Sequence, residues 1–272
     1  MANPKFKELS PEQQKFIEEL QIEDTRTIDA WHSLFLGLAH FDKRGDLLRS
    51  AGCFFNTFFS AIIFFGVVWI ILLIIDGDGL ISYILPILAI VVSIILFSAA
   101  KRYYKEFEDR DIPNPLRSFL VPLLELLQQQ SAGDSMMKLT LDLKPMGDLI
   151  GTKVEEETTD PFDYLSLSTK LPDSGMLAMK VSARGVRYPD NFRLTHVVVL
   201  KITYDGNTYH LAEGEGSFNI TQEDNKIILK AKYKEHCKDK VEHDPGPHYR
   251  KFADLFLAIQ EAVEKKSHTV RE

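Results

Sequence analysis

The densest group of side chains able to hold a metal or attack a substrate is in "HCKDKVEHDPGPH", where His236, Cys237, His243 and His248 stand close together. Zinc accepts imidazole and thiolate, but its sites use close pairs such as C-x₂₋₄-C or H-x₃₋₅-H, and only His243 and His248 meet that spacing. A Pro-Gly-Pro turn at 245–247 breaks the stretch, which links the last strand pattern to the last helix pattern. The expectation is a solvated connecting loop. Metal binding there, or a membrane-surface enzyme built on this His/Cys loop, is the alternative.

A second constellation is basic. In "LKAKYK" Lys230, Lys232 and Lys234 alternate with Leu229, Ala231 and Tyr233, so a strand would carry all three lysines on one face. Such a ladder fits anionic lipid headgroups. It equally fits a strand facing water, or an edge guarded by lysine against mispairing. Across residues 101–272, 25 basic residues stand against 28 acidic ones, which favours the plain solvent face.

No nucleophile elbow G-x-S-x-G, P-loop or H-E-x-x-H occurs. "EGEGSF" at 213–218 lacks the strand-to-helix setting of a phosphate loop, and Glu155, Glu156 and Glu157 read as a solvated charge run. Asp160 and Asp163, beside Pro161, read as turn residues. The net charge of −7 argues against nucleic acid as a partner. No cofactor is expected, and the chain reads more as a binding protein than as an enzyme.

The third acidic feature is Asp76 and Asp78 in "IIDGDGLISY". A calcium loop of the D-x-D-x-D-G type would need its later ligands inside the apolar run that follows. With Gly77 and Gly79 these residues read instead as a water-facing turn.

That turn separates two long runs without any charge, Ala51–Ile75 and Gly79–Ala100. Each exceeds the roughly 20 residues a helix needs to cross hydrocarbon. The first begins too far along the chain, and is too long, for a signal peptide. A transmembrane hairpin is therefore predicted at 51–100, with spans about 51–75 and 79–100. Lys43, Arg44 and Arg49 precede it, Lys101, Arg102, Lys105 and Arg110 follow it, and the turn holds no Lys or Arg. By the positive-inside rule both termini are cytoplasmic, in an inner or plasma membrane. Two cysteines, Cys53 and Cys237, are too few for a disulfide framework, consistent with a reducing compartment. The spans hold no Asp, Glu, Lys, Arg or His, so a channel or proton relay is not expected. Asn56, near the cytoplasmic end, would hydrogen-bond to the partner helix or to a second protomer.

The remaining elements divide around the hairpin. Residues 1–50 read as a cytoplasmic amphipathic helical segment. It starts at Ser10 (N-cap), Pro11 and Gln13 (capping box), with apolar Ile17, Leu20, Ile28, Trp31, Phe35 and Leu38 at helical spacing. Asp24 and Thr25 interrupt the stripe and would cap a second helix. Its acidic flanks predict packing on the protein's own cytoplasmic domain, with a partner helix as the alternative. Residues 101–130 read as juxtamembrane helices and linker, with Pro122 as a kink or late start.

From 131 to 272 the period changes to two. Strands are predicted at 137–143, 163–171, 176–186 and 193–204. "PDSG" (172–175) turns one hairpin, "DGN" (205–207) another with 208–214 returning, and "EDN" (223–225) a third. A helix over 248–266 closes the domain. The fold class is thus an α+β membrane protein: an N-terminal amphipathic helix, a two-helix transmembrane hairpin and a cytoplasmic antiparallel β-rich domain with a C-terminal helix. The expected function is membrane-anchored interaction or scaffolding, the β-domain binding a protein partner or lipid headgroups. The expected partners are the lipid bilayer and either another protein or a second copy of the chain. An accessory subunit of a larger membrane complex is a further alternative.

Overall fold

The computed structural model describes residues 5–76, 83–108, 110, 112–130, 135–144, 161–187, 192–211, 218–223, 225–239 and 249–265. The predicted turn around Asp78 lies outside them. The chain divides into two compact units, Leu9–Ala39 with Ile112–Glu272, and Met1–Glu8 with His40–Asp111.

In the first unit α1 (Pro11–Glu19) starts as its residues dictate. The Ser10 hydroxyl accepts from the Gln13 amide at 3.2 Å, and the Gln13 side chain accepts from the Ser10 N–H at 3.0 Å. The predicted second helix does not follow directly. Leu20 takes a left-handed conformation (φ 52°), and the chain turns into strand β1, Gln21–Thr27. Sequence reasoning reads helix here because the inward positions of β1 are Ile22, Asp24 and Arg26, so no apolar alternation marks the strand.

Helix α2 (Ile28–Asp76) begins in this unit, and its first turns bury Trp31, Phe35 and Leu38. After Pro115 one π-helical turn, Leu116–Leu120, leads into α4 (Val121–Gln130). Pro122 is the second residue of α4, at its junction with the π-helical turn, where the Val121 N–H bonds back to the Leu116 carbonyl. The strands are β2 (Met136–Asp142), β3 (Phe162–Lys170), β4 (Met176–Arg187), β5 (Phe192–Asp205), β6 (Tyr209–Leu211), β7 (Asn219–Glu223), β8 (Lys226–Asp239) and β9 (Val263–Lys265). Helix α5 spans Tyr249–Glu261, ending short of the predicted 266 because Val263–Lys265 pairs as a strand.

Seven strands form one antiparallel sheet in the order β1-β2-β3-β4-β5-β8-β7. One row of register partners runs Leu139, Leu167, Met179, Leu200, Ala231, and all five are buried. The covered face meets the helices. The Trp31 indole donates to the Met137 carbonyl at 3.0 Å, Gln128 of α4 bonds Asp29 of α2, and Phe119 meets Phe252 of α5 edge-on. Burial of each large aliphatic side chain contributes about 1.5–3 kcal/mol.

The "DGN" hairpin is a correction. The turn closes, with the Thr208 N–H donating to the Asp205 carbonyl, but β6 leaves the sheet and pairs with β9. Strand β5 takes β8 as its partner, because Phe192–Asp205 and Lys226–Asp239 match over their whole length whereas Tyr209–Leu211 offers three positions.

In the second unit the rest of α2 accompanies α3 (Ile84–Glu108). Two helical stretches, Phe54–Ile75 and Ile84–Arg102, are long and apolar enough to cross a membrane. They touch at Gly66, where a Cβ would lie 2.9 Å from Ile90 Cγ1, and Leu73 and Ser93 are buried nearby in sequence.

Candidate binding surface

The helices cover one face of the sheet, and the other is open. Its central row of register partners reads Lys138, Ser168, Ala178, Lys201, Lys230, Asn219. The next rows place Lys180, Val199 and Lys232 together, then Ser182, Val197 and Lys234. The three lysines expected on one strand face are there, all exposed, in a strand that is second from the edge. Their local cause is the period-two alternation with Leu229, Ala231 and the half-buried Tyr233. Strand β7 pairs with β8 only from Lys226 to Lys230, so Lys230 has a strand on either side. Lys232 and Lys234 lie where β8 has no further partner among the described residues, in keeping with an edge guarded by lysine.

Lys201 is the residue sequence reasoning missed. It sits directly opposite Lys230, a pairing that only register reveals. Charge on this face is handled differently from strand to strand. Two lysines of β2 and β4 meet acids: Lys138 reaches Glu23 at 3.0 Å, and Lys180 reaches Asp163, whereas Lys170 on β3 does not among the described residues. Burial alone would raise the Asp163 carboxyl, but hydrogen bonds from Lys180 and Ser182 outweigh it and hold it below the usual carboxylate value. Asp163 is thus a residue of β3 paired across to β4 rather than the predicted turn residue. Among the described residues the side chains of Lys201, Lys230, Lys232 and Lys234 make no hydrogen bond or ion pair. Their direct ladder neighbours on this face are Ala178, Val197, Val199 and Asn219, none of them acidic.

The far edge of the sheet has the opposite sign. The charged lining of a cleft of about 580 Å³ beside β1 is Glu12, Glu19, Glu23, Asp24 and Asp142 against Lys15 and Arg26. Arg26 pairs with Glu12 and Asp24 and lies 5.0 Å over the Trp31 ring. The Arg26 hydrogen bond, with help from the Thr25 N–H, lowers the Asp24 carboxyl, and Glu12 raises the already high Arg26 value. These inward charges at an edge strand are a means of blocking further pairing.

Of the proposed metal ligands, His236 and Cys237 occupy consecutive ladder positions of β8, opposite Thr195 and Leu194. The segment expected to be a connecting loop therefore begins as strand and continues as strand to Asp239. Their side chains, and His243 and His248 altogether, lie outside the described residues. Among the described residues no group of three His, Cys, Asp or Glu side chains is placed to hold a metal ion. A different histidine is buried: His196 on β5, its Nδ1 3.1 Å from the Tyr164 hydroxyl.

No family model, curated protein or solved structure matches this chain. The functional reading therefore rests on the surface chemistry of its own residues.

Proposed function

We propose that this chain is a membrane-anchored interaction protein. The two apolar helices form a hairpin in an inner or plasma membrane. Both termini lie in the cytoplasm, where the open face of the sheet binds a partner. One observation carries the reading: the apolar helices hide almost nothing. Phe64, Phe65, Trp69 and Ile75 expose 64, 67, 56 and 72% of their surface, and Leu85 and Ile95 on the second helix 68 and 62%. In water each would forfeit about 1.5–3 kcal/mol of burial, whereas in hydrocarbon the exposure costs nothing. A core helix of a water-soluble domain would be the reverse. The basic flanks, Lys43 and Arg44 before and Lys101 and Arg102 after, support cytoplasmic ends.

The test is extraction and sidedness. Alkaline carbonate should leave the full chain in the membrane pellet. With Cys53 and Cys237 replaced by alanine, Gly79→Cys should react with an impermeant maleimide on intact cells. Thr221→Cys, on β7, should react only after permeabilisation. Release by carbonate refutes the anchor, and the reverse labelling pattern refutes the orientation.

A further inference from the structure

We propose that Lys201, Lys230, Lys232 and Lys234 form a docking face for the anionic phospholipid headgroups of the membrane that holds the chain. The inference deepens the membrane-anchored reading and rests on it, because it names the partner of the open face.

Four features of the face point to this ligand. The first is unrelieved like charge. Lys201 and Lys230 stand directly opposite one another, an arrangement that destabilises a sheet unless something outside supplies negative charge. Two other lysines of the same face have acids of their own, Glu23 for Lys138 and Asp163 for Lys180, while Lys170 on β3 stands apart from the four without one among the described residues. At these four positions it supplies none among the described residues.

The second is shape. Alternate residues on a strand lie about 6.6–6.8 Å apart and neighbouring strands about 4.8 Å, so the four ammonium groups spread over a shallow plane. A plane of separate point charges suits many phosphates on a flat surface, not one phosphate in a socket. The residue type agrees. Lysine is a mobile, hydrated point charge with three donors, whereas arginine is the side chain for fixed two-pronged recognition, and these four positions hold no arginine.

The third is the setting of the stems. Val197 and Val199, half-buried on the open face opposite Lys234 and Lys232, give the aliphatic stems apolar ground while the ammonium ends reach outward.

The fourth is the balance between the whole chain and the patch. A net charge of −7 opposes capture of a polyanion from solution, which disfavours nucleic acid. A tethered domain escapes that limit. Its effective concentration at the bilayer is already high, so a modest local attraction suffices. Each lysine near an anionic leaflet strengthens docking about fivefold.

The experiment uses the full chain in lipid nanodiscs, made of phosphatidylcholine alone or with phosphatidylserine. Brief acylation with an amine-reactive ester, followed by peptide mass spectrometry, reads each lysine separately. With phosphatidylserine present, Lys201, Lys230, Lys232 and Lys234 should react at least about fivefold more slowly. Lys15 and Lys138 should be unchanged, and high salt should erase the difference. Energy transfer from a dye on Thr221→Cys to labelled lipid provides a second readout. It should rise with phosphatidylserine, and it should not rise when all four lysines become glutamine in a variant with unaltered near-ultraviolet circular dichroism. Equal acylation in the two kinds of disc overturns the proposal. So does protection that appears only when a cytosolic extract is added to neutral discs, which would assign the face to a protein partner. A chain that fails to co-purify with discs of either kind overturns the membrane anchor itself, a result distinct from the other two.

Discussion

The two tryptophans of the chain occupy opposite environments. Trp31 in the sheet unit is fully buried, stacked on Phe35 and hydrogen-bonded to a backbone carbonyl, whereas Trp69 in the helical pair is 56% exposed. Phenylalanine divides in the same way between the sheet unit and the apolar stretch of α2: Phe35, Phe119 and Phe252 are fully buried, while Phe54, Phe64 and Phe65 are more than half exposed. One unit is built as if its surroundings were water, with apolar side chains inside. The other is built as if its surroundings were oil. Two rules for placing the same residue types in one polypeptide are the physical basis for the membrane proposed around the apolar helices.

Substitutions test that contrast, the largest effects coming where apolar groups are buried. Trp31→Ala should cost about 3–5 kcal/mol, through the cavity and the orphaned Met137 carbonyl, and lower the melting temperature of the sheet signal in far-ultraviolet circular dichroism. Trp69→Ala should leave that melt unchanged. Equal effects would erase the distinction between the units.

Next in size is a close contact within the helical pair. Gly66→Leu drives side-chain atoms into Ile90, where even a Cβ would sit 2.9 Å from Cγ1, and overpacking of this kind costs about 1–3 kcal/mol. The loss should register as easier separation of α2 from α3 in sodium dodecyl sulfate titration, with the sheet intact.

Arg26→Met removes the bridge from the β1 edge to Glu12 and Asp24 while keeping much of the stem over Trp31. A loss of about 1 kcal/mol is expected in urea unfolding, shrinking further in high salt because the pair is partly exposed.

The smallest effect concerns pH. The Asp163 carboxyl is held below its ordinary value in the folded protein, so its contribution is complete above the unfolded-state value, near pH 4. That contribution is lost as pH falls through the lower folded value. Asp163→Asn should therefore unfold with a shallower acid dependence below about pH 4 and match the wild type in slope at neutral pH. An identical acid limb in the two proteins would show that Lys180 and Ser182 do not hold the charge.

Much of this architecture was legible from residue pattern. The Ser10–Gln13 cap, the two uncharged runs, the alternation through β2 to β5 and the stripe of Phe252, Phe256 and Ile259 each announce an element through local periodicity. What escaped has a common cause. Strand β1 is hidden because its inward positions, Asp24 and Arg26, are charged, and because the helix before it ends at Leu20 in a left-handed conformation with no glycine to mark the break. The exchange of β6 for β8 beside β5 escaped because a turn signal says where a chain reverses, not which strand it will lie against.

The candidate surface divides in the same way. Lys230, Lys232 and Lys234 share a face by strand period alone, so residue order determined that much. That Lys201 joins the group, and that Glu23 and Asp163 pair with other lysines of the face, was decided by register between strands, within one hairpin for Asp163 and Lys180 and across more than a hundred residues for Glu23 and Lys138. Local patterns set which side of an element is apolar, because that depends on the backbone repeat. Which charges become neighbours depends on long-range pairing, and only the tertiary structure specifies it.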